Sequence, residues 1–275
     1  MIKKFRLYIL LIGIVTIFYC FSFSASASDL KKIPIHVGGQ TVDGLLIEET
    51  TFAPLEYLSL ALGADSVSWS AVTRLVTIEI RGMTIETKQG ANYLEANGRC
   101  FYTALPCRTI DGNLYVPIRL VAKAFDADVI WNGDTYTVDF VDHGKVCTPG
   151  SAYYAEDAIL WLSRIIYAES VGEPLLGKIA VGNVILNRVE DKSFPNTIYS
   201  VIFDKKYGVQ FTPTANGRIY NNANDECRRA AKMVLEGTTV SDDILYFMNR
   251  TIATNFWVHH NRPFAFTIGG HSFYK

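Results

Sequence analysis

Apolar residues recur at helical spacing in two successive runs between positions 158 and 187. Ala158, Leu162, Ile165, Ile166 and Glu169 share one stripe of a first helix, which should face the core and carries a carboxylate on its last turn. Val171-Gly172 is expected to end it, with glycine as a left-handed cap. Pro174 suits the first turn of a second helix. There Leu176, Ile179, Ala180, Asn183, Leu186 and Asn187 repeat at the same spacing, and Gly177 and Ala180 permit a close helix–helix approach. Further on, Asn224 caps a third helix over Asp225–Leu235 that stops at Gly237. Residues 244–247, Phe256-Trp257 and residues 264–273 read as strands, the last turning at Gly269-Gly270. Helices followed by a small antiparallel sheet predict an α+β domain over residues 151–275.

Residues 29–142 hold an internal repeat. Ala53-Pro54-Leu55-Glu56-Tyr57-Leu58-Ser59-Leu60-Ala61 aligns with Val116-Pro117-Ile118-Arg119-Leu120-Val121-Ala122-Lys123-Ala124. Each copy predicts a short helix opened by a proline, then a strand pair around a tryptophan, Trp69 or Trp131. Asp111-Gly112-Asn113 has the chemistry of a hairpin turn. This segment is a small α+β domain of its own. His143–Gly150, with two glycines and a proline, reads as the linker between the two.

At the N-terminus Lys3, Lys4 and Arg6 precede an apolar run over residues 7–23 and then Ala25-Ser26-Ala27. Residues 1–27 therefore read as a cleaved signal peptide, with no membrane attachment afterwards. The 26 basic and 27 acidic residues give a net charge of −1, or about −4 once the three basic residues of the leader are gone, so nucleic acid is not an expected partner. In an exported chain Cys100, Cys107, Cys147 and Cys227 permit disulfides in three pairings, or remain free and buried. They lack zinc-site spacing, and His259, His260 and His271 come with no carboxylate–His motif, so neither metal nor cofactor is expected.

Two carboxylates flank the turn near residue 171. Glu169 lies on an apolar stripe at a helix C-terminus; burial and the helix dipole both disfavour its charged form, so its pKa should be raised. Glu173 begins the next helix, where the dipole favours an anion. Glu169 reads as a general acid and Glu173 as an ionised structural group.

Tyr167-Ala168-Glu169-Ser170-Val171-Gly172-Glu173-Pro174, the following Gly177–Val189 segment (residues 177–189), Phe194-Pro195-Asn196-Thr197-Ile198 and the closing Ile268-Gly269-Gly270-His271-Ser272-Phe273 resemble the SleB/CwlJ-type cell wall hydrolases. That resemblance implies a lysozyme-like fold, cleavage of peptidoglycan glycan strands, and Glu169 as the catalytic glutamate. It also implies a glycan groove lined or supported by Gln210, Phe211, Asn249, Trp257 and His271. The repeat resembles the copper amine oxidase-like N-terminal domain, also called a stalk domain; its His36 and His143 form no ligand cluster, so it should position rather than catalyse.

The expected activity is cleavage after N-acetylmuramic acid by a secreted, monomeric enzyme of the cell wall or spore envelope. The lytic transglycosylase route, which leaves a 1,6-anhydromuramyl end, needs no second carboxylate. A hydrolytic muramidase or glucosaminidase using Glu173 or Asp204 stands beside it, as does a non-catalytic wall-binding protein.

Overall fold

A computed structural model describes residues 30–275; the expected signal peptide lies outside the described residues. The N-terminal part runs β1 (Lys32–Val37), β2 (Gln40–Ile47), β3 (Thr50–Pro54), α1 (Leu55–Ala61), β4 (Ser66–Trp69), β5 (Val76–Ile80), β6 (Met83–Thr87), β7 (Tyr93–Ala96), β8 (Arg99–Tyr102), β9 (Arg108–Ile110), β10 (Asn113–Pro117), α2 (Ile118–Phe125), β11 (Asp128–Asn132) and β12 (Thr137–Val141). A seven-stranded sheet has the order β11-β12-β1-β2-β3-β10-β9, and a five-stranded one the order β4-β5-β6-β7-β8.

The repeat is visible in the pairing. β3 and β10 lie antiparallel with Ala53 opposite Val116, the two residues that the repeat aligns. Each strand leads through its proline into a helix, and α1 and α2 bury Leu55 and Leu58 or Ile118, Val121 and Phe125 in one shared core. The Asp111-Gly112 turn has positive φ at both residues, as a two-residue hairpin requires. Trp69 and Trp131 lie on β4 and β11, edge strands of their sheets, and are 66% and 44% exposed.

The C-terminal part runs α3 (Gly150–Tyr153), α4 (Glu156–Ser170), α5 (Leu175–Glu190), α6 (Ile198–Ile202), α7 (Thr212–Asn216), a 3₁₀ turn (Arg218–Tyr220), α8 (Asp225–Leu235), β13 (Tyr246–Met248), α9 (Trp257–Asn261), β14 (Phe264–Ile268) and β15 (His271–Tyr274), with the sheet order β13-β15-β14. This is the α+β arrangement the pattern predicts. Asn224 caps α8 by accepting the Cys227 amide, and Gly237 turns left-handed just past its end.

Helix α5 is buried without interruption from Gly177 to Ile185, so it is an interior helix and not the one-faced helix expected. The glycine that lets neighbouring helices approach is Gly182. A Cβ there would stand 2.8 Å from Val234 on α8 and 3.1 Å from Ile166 on α4. The buried polar residues of α5 bind backbone: Asn183 donates to Thr238 O and accepts from Val240 N, Asn187 donates to Ser241 O and Ile244 O, and Arg188 donates to Leu245 O. They stitch the segment between α8 and β13 onto the helix, which satisfies groups that would otherwise be buried unpaired.

The two parts share a packed joint. Cys147 is buried against the N-terminal core, where its amide donates to Ala124 O and its carbonyl accepts from Asn97. Gly150 lies so close to Gly98 that a Cβ would meet the Gly98 carbonyl at 2.5 Å. On β8, Cys100 belongs to the core of the C-terminal part. Its neighbour Arg99 donates through Nε and Nη2 to both carboxylate oxygens of Glu236, at 2.7 and 2.5 Å. The punctuated stretch 143–150 is therefore anchored at its C-terminal end. All four cysteines within the described residues are buried free thiols.

Candidate functional site

Helix α4 places Glu169 on its last turn, one residue before the end, and Leu162, Ile165 and Ile166 of the same stripe are fully buried. Gly172 does not take the left-handed conformation expected of it. The chain tightens instead through a bond from Glu173 N to Ser170 O, and Pro174 caps α5 from outside its first turn. Lys178, almost fully buried, donates to the Glu173 carbonyl and pairs with Glu226 of α8 at 3.2 Å. The turn carrying both carboxylates is thereby tied to two helices.

The two carboxylates have different surroundings. Burial pushes the Glu169 carboxyl up to about 7, and the Arg218 guanidinium acts weakly in the opposite direction. Arg218 comes from the 3₁₀ turn after left-handed Gly217, and it also donates to Ala168 O at 3.4 Å. The sequence offered Asn216-Gly217 as a turn but no sign that the next side chain returns to α4.

Glu173 does not serve the start of α5. Its carboxylate reaches the β14–β15 turn, accepting the Gly270 amide at 2.9 Å and lying 3.5 Å from His271 Nδ1. Gly269, with φ +56°, has no room for a side chain: a Cβ would stand 1.9 Å from the Glu173 carboxylate. Removing this carboxylate frees a backbone donor and loosens the turn. Glu173→Ala should cost about 1.5–3 kcal/mol, the usual worth of a hydrogen bond to a charged group. A thermal melt superimposable on wild type would show that the bond carries no load.

The other expected groove residues fall into two groups. Asn249 and His271 meet Glu173 around Gly270: the Asn249 amide nitrogen lies 2.9 Å from where a Gly270 Cβ would stand. His271 is buried, and burial lowers its pKa despite the neighbouring Glu173. Its ring stacks edge-on with Phe247 at 5.2 Å, and Phe247 lies 6.2 Å from Phe211. Phe211 is itself buried, so neither it nor His271 presents an exposed face. Gln210 donates to the Gly208 carbonyl at 3.2 Å, within its own turn.

Trp257 stands apart on α9, a helix where a strand was expected. The Asn255 side chain accepts the Trp257 amide at 2.8 Å and turns the chain. The half-exposed indole connects to Phe211 only through a ladder of alternating cations and rings, Arg262, Tyr246 and Arg188. Arg188, buried between Phe194, Tyr246 and Phe211, gave no signal in the sequence beyond its place at the end of a helix. His259 and His260 share α9, and among the described residues no three His, Cys, Asp or Glu side chains are grouped to hold a metal ion.

Residues 172–274 match the Cell Wall Hydrolase family, and residues 37–140 match the Copper amine oxidase N-terminal domain family. The spore cortex-lytic enzyme of Bacillus cereus is 39% identical over 122 residues, which cover 44% of this chain and 46% of that protein. The spore cortex-lytic enzyme of Bacillus subtilis is 36% identical over 120 residues, 44% of this chain and 38% of that one. The chain thus spans less than half the length of these curated relatives. Among solved structures, the catalytic domain of the germination-specific lytic transglycosylase SleB from Bacillus anthracis is 38% identical, with 46% of this chain and 100% of that chain covered and a TM-score of 0.41.

Proposed function

We infer, for a chain whose residues 172–274 make it a member of the cell wall hydrolase family, that it cleaves the glycan strands of peptidoglycan with Glu169 as proton donor. The observation that carries this reading is the state of Glu169. A carboxyl raised to about 7 by burial is half protonated near neutrality, which suits a general acid in that range. Among the described residues it makes no side-chain hydrogen bond, which leaves its proton for a bound substrate.

In the reaction, Glu169 delivers its proton to the glycosidic oxygen of the leaving sugar as the bond to muramic C1 breaks. The resulting Glu169 carboxylate then takes the proton of the muramic C6 hydroxyl as that oxygen bonds to C1. A 1,6-anhydromuramyl end results, and Glu169 is protonated again. This lytic transglycosylase route is preferred over hydrolysis because it needs no second carboxylate, and the nearest candidates have structural bonds, Glu173 to the Gly270 amide and Asp204 to the Lys206 amide at 2.9 Å. An ordinary glycosidase needs a second carboxylate to act on water or on C1. Gln210, Asn249 and Trp257 offer hydrogen-bonding and stacking groups to the glycan, with Phe211 and His271 behind them. The name shared by the Bacillus relatives directs attention to spore cortex as a substrate alongside vegetative wall, reached after export.

The test is the product. Vegetative peptidoglycan and spore cortex digested with the chain should give muropeptides one water lighter than hydrolytic ones, detected by mass spectrometry. Reducing ends of ordinary mass would establish hydrolysis and return Glu173 or Asp204 to the reaction. No release from either material, with folded protein, would favour a non-catalytic wall-binding protein.

A further inference from the structure

We propose that the N-terminal domain carries a second binding groove, along α2 and β11, for a carboxylate-bearing stretch of the wall polymer. Two cavities of about 610 and 800 Å³ adjoin there, and Arg119, Lys123 and Val129 line both. The first is walled by Trp131, Tyr102 and Glu49; the second reaches across the joint between the two parts of the chain. Each is of the size that holds a small ligand or a few units of a polymer.

The charges in the first cavity are unbalanced towards the cations. Arg119 and Lys123 sit one helical turn apart on α2, are exposed, and form no ion pair among the described residues; Lys123 has the Phe101 ring 5.9 Å away. Of the acids that line the second cavity, Glu236 pairs with Arg99, Asp126 with Lys145 at 3.8 Å, and Asp128 shares a hydrogen bond with His143 at 2.9 Å. In the first cavity, then, Arg119 and Lys123 face a single acid, Glu49. Beside them the Trp131 indole is 44% exposed, a flat apolar surface of the kind that sugar rings stack on.

The internal repeat supplies the comparison. In the first copy the positions of Arg119 and Lys123 are held by Glu56 and Leu60. Both copies form the same proline-opened helix, so the helix does not require the cation pair; it belongs to the copy that borders the groove. A glycan whose peptide stems end in carboxylates matches cations and an aromatic face together. The choice of polymer rests on the proposed function. Holding one stretch of an insoluble strand while another is cut would raise the effective concentration of the cleavage site.

The experiment uses the full exported chain carrying Glu169→Gln, so that the polymer stays intact, co-sedimented with purified insoluble peptidoglycan. Arg119→Glu with Lys123→Glu should weaken binding by about tenfold, the combined effect of two exposed charge contacts, and should flatten its salt dependence. Trp131→Ala should weaken it as well. Peptidoglycan stripped of its stem peptides by an amidase should bind the parent more weakly and abolish the difference between parent and charge-reversed chains. The neutral pair Arg119→Gln and Lys123→Gln repeats the comparison if charge reversal lowers the melting temperature. Charge-reversed or neutral chains that are folded and bind like the parent would overturn the groove. The unaltered chain is assayed for release of wall fragments in parallel. Release with unchanged binding sinks the groove alone, whereas the absence of release sinks the proposed activity.

Discussion

Glu169→Gln should lower peptidoglycan turnover by about 10²–10⁴-fold, the usual cost of losing a general acid, and should at the same time make the protein more stable at alkaline pH. The amide keeps the shape of the side chain but cannot deliver a proton. The stability gain follows from the direction of the pKa shift. Burial raises the folded-state pKa from 4.5 to about 7, so the folded protein holds a proton that the unfolded chain gives up between those values. Stability from this group is complete below about 4.5 and is lost as pH rises through 7. At pH 8 the buried anion costs up to about 3 kcal/mol, reckoned at 1.36 kcal/mol per pKa unit, and glutamine removes that cost. Denaturant melts of both proteins at pH 5 and pH 8 should converge at the lower value and separate at the higher. A variant inactive but no more stable at pH 8 would mean that Glu169 is ionised in the folded state.

Glu236→Ala should be the most destabilising change at the joint, at about 3–5 kcal/mol. Glu236 receives two bonds from Arg99 and one from Tyr154, whose hydroxyl donates at 2.5 Å. The ion pair is largely buried, with the two side chains 14% and 5% exposed. Cutting away the carboxylate strands a buried guanidinium and a buried hydroxyl, although Arg99 keeps the Tyr153 ring 3.6 Å away. Replacing both partners, with Arg99→Met and Glu236→Leu, should recover much of the loss, because no charge is then left unpaired. The checks are a urea midpoint and the rate of protease cleavage between residues 143 and 150. A single mutant as stable as the double would show that the pair contributes nothing.

Features set by local chemistry were legible in the sequence. The Asn224 cap and Gly237 stop of α8, the Asp111-Gly112 turn, and the Gly269-Gly270 reversal between β14 and β15 all appear where residue type alone places them. So does the raised pKa of Glu169, since an apolar stripe at a helix end already implies burial. The readings that failed depend on distant partners. Glu173 was assigned to the nearest helix, but its carboxylate binds an amide 97 residues away. The Arg99–Glu236 contact spans 137 residues, and neither residue stands in a pattern that points to the other. Gly182 gave no signal because its requirement comes from Val234 and Ile166 on neighbouring helices.

The central claim is that Glu169 holds a proton near neutral pH, and its titration can be followed directly. Carbon-13 spectra of carboxyl-labelled glutamate, recorded from pH 4 to pH 9 for the wild-type chain and for Glu169→Gln, identify its resonance by difference. The account predicts a midpoint of about 7. A midpoint near 4.5, the ordinary value for glutamate, would mean an ionised carboxylate at neutrality and would contradict its role as the acid.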